Sequence, residues 1–122
     1  VKRILIASLP AWAILGVAFF LLTTPVLAAC GTASWYGEEH DGRRTASGEI
    51  FRQWALTAAM PRKSQFGTYR VTSGGKSVTV RVNDTGSFAK YGRGMDLSRG
   101  AFSKLAHTDR GVIRACWERV ER

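Results

Sequence analysis

The 122-residue chain has two cysteines, two histidines and half as many acids as bases, nine against 18. Each shortage removes a class of chemistry. The histidines, His40 and His107, lie far apart, and with Cys30 and Cys116 they give none of the spacings of a zinc or other metal centre. Glu38-Glu39-His40-Asp41 gathers ligand-type residues in sequence, but its glycine-flanked setting reads as a solvated turn. No serine sits in a nucleophile elbow, no phosphate loop occurs, and both cysteines are better explained by bridging or lipidation than by nucleophilic attack. No metal and no cofactor are expected. Long linkers, low-complexity tracts and convincing repeats are also missing, which leaves a single compact unit.

Long apolar runs are confined to the start. Lys2 and Arg3 precede the uncharged run ILIASLPAWAILGVAFFLL and then TTPVLAAC, the layout of a secretory leader with a small-residue cleavage region. Residues 1–29 are read as that leader. The run could just span a bilayer, so an uncleaved anchor is the alternative. Residues 30–122 then form the exported domain and carry all nine acids and 16 of the bases, a net charge of 16 − 9 = +7. An anionic cell-wall glycan or membrane surface fits both the charge and the export signal. Nucleic acid fits only the charge and is not expected.

Cys30 and Cys116 stand near the two ends of that domain. In an oxidising compartment they can bridge and tie the first segment to the last. Leu27-Ala28-Ala29-Cys30 also matches the pattern after which bacteria lipidate a cysteine, which would attach the domain to a membrane. The two fates exclude each other.

Short extended segments dominate the rest: 32–37, 55–60, 67–72, 76–83, 95–98 and 112–120, separated by glycine-bearing turns. That pattern predicts a small, mainly β barrel or sandwich. Thr72-Ser73-Gly74-Gly75-Lys76 reads as a hairpin whose glycines take positive φ. One helix is expected after Ser98, which can cap it, with Ala101, Phe102 and Leu105 as its apolar stripe. In the last strand Ile113, Ala115 and Trp117 share one face and Cys116 lies on the other.

Few acids make the carboxylate candidates easy to enumerate. Glu49, Asp84 and Asp96 each sit in a patterned segment beside glycine or apolar residues, whereas the other six lie in turns, the first loop or the C-terminus. Asp84 ends the alternating run VTVRVNDTGS, where by itself it reads as an ordinary turn aspartate. Asp96, between Met95 and Leu97, reads as a buried acid satisfied by backbone amides or an arginine.

Taken in order, ASWYG (33–37), GRRTASGE (42–49), LTAA (56–59), FGT (66–68), VRVND-T-G (80–86), GRGMDLS (92–98) and the closing VIRACWERV resemble the rare lipoprotein A (RlpA) family. The resemblance covers nearly the whole exported domain. It implies a six-stranded double-psi β-barrel with one or two short helices, in the bacterial envelope or periplasm. The implied activity is endolytic lytic transglycosylation of peptidoglycan between N-acetylmuramic acid and N-acetylglucosamine, on strands stripped of stem peptides. The muramyl C6 hydroxyl closes onto C1 and leaves a 1,6-anhydro end. One carboxyl group can act first as acid and then as base. Carried over by motif, that residue is Asp84, with Glu49 orienting substrate or stabilising charge at C1. Trp35, Tyr36, Arg52 and Arg81 are the expected sugar- and anion-binding side chains. The chain departs from the family pattern at Arg52, where an acid is usual, and at Met60, where a histidine is usual. A catalytically weak peptidoglycan-binding or structural envelope barrel is the alternative.

Overall fold

The computed structural model describes residues 28–121, so the expected leader 1–29 lies outside the described residues except for Ala28 and Ala29. The strands are β1 (Ala29–Tyr36), β2 (Thr57–Met60), β3 (Gly67–Ser73), β4 (Lys76–Thr85), β5 (Arg93–Ser98) and β6 (Val112–Glu121). Among the described residues a single α-helix, α1 (Arg99–Leu105), follows β5, and short 3-10 turns complete the fold. The strands close into a barrel in the order β1-β5-β2-β4-β3-β6, with β6 returning to β1. β1 runs parallel to β5 and β2 parallel to β4; the remaining pairs are antiparallel. Closure removes the unpaired strand edges that a small sheet would otherwise expose.

Alternation builds the core. Val78, Val80 and Val82 of β4 face inward with Val71, Met95, Leu97, Ile113, Ala115 and Trp117, all buried in one cluster. α1 plugs this core with Ala101, Phe102 and Leu105. Ser98 begins the helix as expected, accepting a hydrogen bond from Ala101 N at 3.1 Å while donating to Ala55 O. The β3–β4 hairpin turns through Gly74 and Gly75 at φ +56° and +81°, the left-handed values that glycine tolerates best. Cys30 and Cys116 lie opposite each other in the β1–β6 ladder and form a disulfide across the barrel seam. A sulfur so committed is not free to carry a lipid.

Two slips of register matter more for the outer surface than for the core. Along β2 and β4, Ala58 pairs with Val82, but Ala59 pairs with Asp84, so Asn83 is an extra residue on β4. Strict alternation would send Asp84 inward behind Val82. The slip puts it beside Ala59, on the opposite face from the valines. A similar slip between β1 and β5 pairs Thr32 with Arg93 and Ala33 with Met95, leaving Gly94 as the extra residue.

Candidate active site

Four neighbouring strands set one residue each into a row across the outer face: Ser34 on β1, Asp96 on β5, Ala59 on β2 and Asp84 on β4. Two acids thus flank an alanine whose small side chain leaves room between them. Tyr36, His40, Thr85, Gly86 and Phe88 complete a cavity of about 200 Å³ around Asp84, Ala59 and Asp96. Tyr36, Phe51, Ala59 and Phe88 form a second, smaller apolar cluster beneath this region, separate from the barrel core. Tyr36 stacks on Phe51 with ring centroids 4.4 Å apart and meets the His40 ring edge-on at 5.5 Å.

The two acids sit in different surroundings. Asp84 is held by the loop between β1 and β2: Ala46 N donates to its Oδ1 at 3.0 Å, as does Thr85 N at 2.9 Å. The Tyr36 hydroxyl approaches its Oδ2 at 3.4 Å. Asp84 is therefore an acceptor for three donors. Among the described residues Asp96 receives a single side-chain hydrogen bond, from Ser34 Oγ at 2.9 Å, and Arg93 Nη1 donates to that same Ser34 oxygen at 2.9 Å. Burial pushes the Asp96 carboxyl above the ordinary range, and the Asp84 charge adds to this. The Ser34 hydrogen bond and the charges of Arg93 and His40 oppose the shift without cancelling it. Tyr36 is held in its protonated form, first by burial and then by the nearby charges of Asp84 and Asp96. It can donate to Asp84 throughout the physiological range.

Glu49 occupies a neighbouring depression. Arg81 Nη1 donates to both its oxygens, at 2.8 and 3.0 Å, and Asn83 Nδ2 donates to Oε1 at 2.6 Å. These bonds hold its carboxyl below the ordinary range, Asn83 contributing most. Ser47, Phe66, Gly67, Thr68, Arg81, Val82 and Asn83 share with Glu49 a second cavity of about 220 Å³. The backbone joins the two depressions, because Ser47 N donates to Asn83 O at 3.1 Å while Ala46 N holds Asp84.

Of the side chains expected from sequence, Asp84 and Tyr36 meet in the first cavity, and Glu49 and Arg81 meet in the second. Trp35 lies on the inward face of β1, packs against the core and donates from its indole nitrogen to Thr108 O at 3.0 Å. It lines neither cavity. Arg52 is exposed and pairs loosely with Asp41 at 3.6 Å. Met60 is buried in the core and brings no donor to the site. The imidazole in the first cavity comes instead from His40, in the 3-10 turn Glu38–His40. Sequence reasoning passed over both His40 and Asp96 as members of this site. The pointer to Asp96 was its acid between two apolar neighbours; for His40 the pointer was only its closeness to Tyr36.

A protein-family model described as lytic transglycolase matches residues 28–117. The endolytic peptidoglycan transglycosylase RlpA of Pseudomonas aeruginosa is 42% identical over 93 residues, covering 75% of this chain and 27% of the relative. The protein of the same name from Yersinia pestis is 51% identical over 77 residues, covering 62% of this chain and 21% of the relative. The chain thus spans about a quarter of the length of these curated relatives. Among solved structures, a Streptomyces papain inhibitor superposes with a TM-score of 0.63 at 23% identity, covering 79% of this chain and 97% of its own. An expansin of Clavibacter michiganensis in complex with cellohexaose gives 0.62 at 20% identity, covering 79% of this chain and 50% of its own. These two likenesses concern the fold alone. By its motifs, its barrel and its relatives, this chain belongs to the lytic transglycolase family of double-psi β-barrels, in the RlpA group.

Proposed function

We propose that this chain cleaves the glycan strands of bacterial peptidoglycan by lytic transglycosylation, in the envelope outside the cytoplasm. The observation that carries the reading is the pair of unlike carboxyl groups, Asp84 and Asp96, facing one cavity across Ala59. Family membership and the names of the RlpA relatives support the substrate class. The net charge of +7 beyond residue 29 suits an anionic glycan.

Glycosidic cleavage without water needs one proton delivered and one removed. Asp96, the acid whose surroundings favour the protonated form, gives its proton to the oxygen leaving muramyl C1. The C1–oxygen bond breaks, the muramyl C6 hydroxyl attacks C1, and its proton passes to Asp84. The product ends in a 1,6-anhydro ring, and the pair has exchanged one proton in total. Both roles were expected of Asp84 alone; two carboxyl groups with different surroundings divide them more naturally. Tyr36 orients Asp84. Glu49, kept ionised by Arg81 and Asn83, steadies the strand end that carries Asp84 and offers a charged wall to the adjoining sugar.

The test is product chemistry. The protein incubated with denuded glycan should release 1,6-anhydromuramyl ends, detected by mass, and Asp84→Asn should lower the rate at least about 100-fold while the circular dichroism spectrum stays unchanged. Glycan that binds yet stays intact after prolonged incubation would refute the reading.

A further inference from the structure

Arg93 opens β5 at the rim of the carboxylate cavity. The extra residue of the slip has to be a glycine, since a Cβ on Gly94 would lie 2.7 Å from the Trp117 ring inside the barrel. The slip turns the Arg93 side chain to the outer face, where Nη1 reaches Ser34 Oγ. A guanidinium carries five N–H donors, and among the described residues Ser34 is the sole acceptor within hydrogen-bond distance of this one. No carboxylate of the described residues lies within ion-pair distance. The guanidinium carbon is 5.9 Å from the ring of Phe88, a wall of the cavity, and 5.6 Å from the ring of Tyr91. Tyr91 is 69% exposed, and Lys90 Nζ approaches its ring at 5.3 Å. An exposed aromatic ring and two cations that pair with no carboxylate of the described residues therefore stand together at the mouth of the site.

We propose that this rim, with Arg93 as its centre, is the subsite that binds the lactyl group of a muramyl residue and selects the free carboxylate over its amide. The inference rests on the substrate reading above. A muramyl residue bearing a stem peptide has its lactyl carboxyl tied up in an amide, which is neutral and offers one carbonyl oxygen. Removal of the peptide exposes a carboxylate, which can take two parallel hydrogen bonds and a charge from a guanidinium. Tyr91 supplies a face for the sugar ring, and Lys90 adds to the positive potential. Selectivity for stripped strands then comes from attraction at Arg93.

The test uses an oligomer of alternating N-acetylglucosamine and N-acetylmuramic acid, with its lactyl carboxyls either free or converted to methylamides. Binding and cleavage of both forms are measured for the wild type, Arg93→Gln and Arg93→Lys. The wild type should bind the free acid about tenfold or more tightly than the methylamide, as a charged hydrogen-bonded pair requires. Arg93→Gln should bind the two forms alike, and Arg93→Lys should keep part of the preference. If Arg93→Gln keeps the full preference while cutting both forms more slowly, Arg93 acts only through Ser34 on Asp96 and the inference fails. A wild type indifferent to the carboxyl overturns it equally. Binding preference that is lost in Arg93→Gln, with neither form cleaved by the wild type, upholds the subsite and refutes the proposed transglycosylation instead.

Discussion

At the scale of single residues, the contrast between Asp84 and Asp96 is what the proposed chemistry rests on, and it also leaves a mark on stability. A carboxyl whose folded-state pKa is raised binds its proton more tightly in the folded chain than in the unfolded one. The folded state is thus favoured in acid, and stability falls as pH climbs from the ordinary carboxyl range through the raised value. Asp96→Asn removes that loss while keeping an oxygen for the Ser34 hydrogen bond. The variant should be inactive yet melt higher than the wild type at neutral pH, the gain shrinking to nothing in acid. Thermal melts across pH check this, and a lower melting temperature at neutral pH would contradict it. Asp84 could be found from the motif order around it. Asp96 was expected as a buried acid and is half-buried, and its surroundings were not legible: a hydroxyl on β1, backed by an arginine, satisfies it in place of backbone amides or a direct arginine pair. Those partners come from residues about 60 positions away or across a register slip, and no local pattern reveals them.

At the scale of elements, alternation and turn chemistry marked all six strands and the helix. The segments at 67–72, 76–83 and 112–120 fall within one or two residues of β3, β4 and β6. Pairing was less legible, because parallel partners such as β1 and β5 are joined by the whole intervening chain. The slips at Asn83 and Gly94 could not be read from periodicity, since each breaks the period that identifies its strand. They are nonetheless what turns Asp84 and Arg93 outward. The β5–α1 junction carries a concrete energetic expectation. Ser98 is fully buried, donates to Ala55 O and accepts from Ala101 N and Thr57 N, so Ser98→Ala leaves three backbone groups without that partner. The cost should be about 1–2 kcal/mol. For a domain of this size that is a fall of roughly 4–16 °C in melting temperature. An unchanged melting curve would mean that the cap contributes nothing.

Across the whole molecule, a small core is closed by a barrel seam and a disulfide, while Asp84 and Asp96 stand on the outside of the same sheet. Cys30–Cys116 joins the first strand to the last over a sequence separation of 86, so its loss frees most of the described chain in the unfolded state. Replacing both cysteines by serine should cost about 2–4 kcal/mol. Activity below the lowered melting temperature should persist, because neither cysteine lines the carboxylate cavity. The central claim is that two carboxyl groups exchange one proton to close a 1,6-anhydro ring without water. It is tested most directly by cleaving denuded glycan in ¹⁸O-labelled water and weighing the products of the wild type, Asp84→Asn and Asp96→Asn side by side. The wild type should give anhydromuramyl ends free of label, and both variants should give almost none. Labelled reducing ends from the wild type, or undiminished cleavage by Asp96→Asn, would contradict the account.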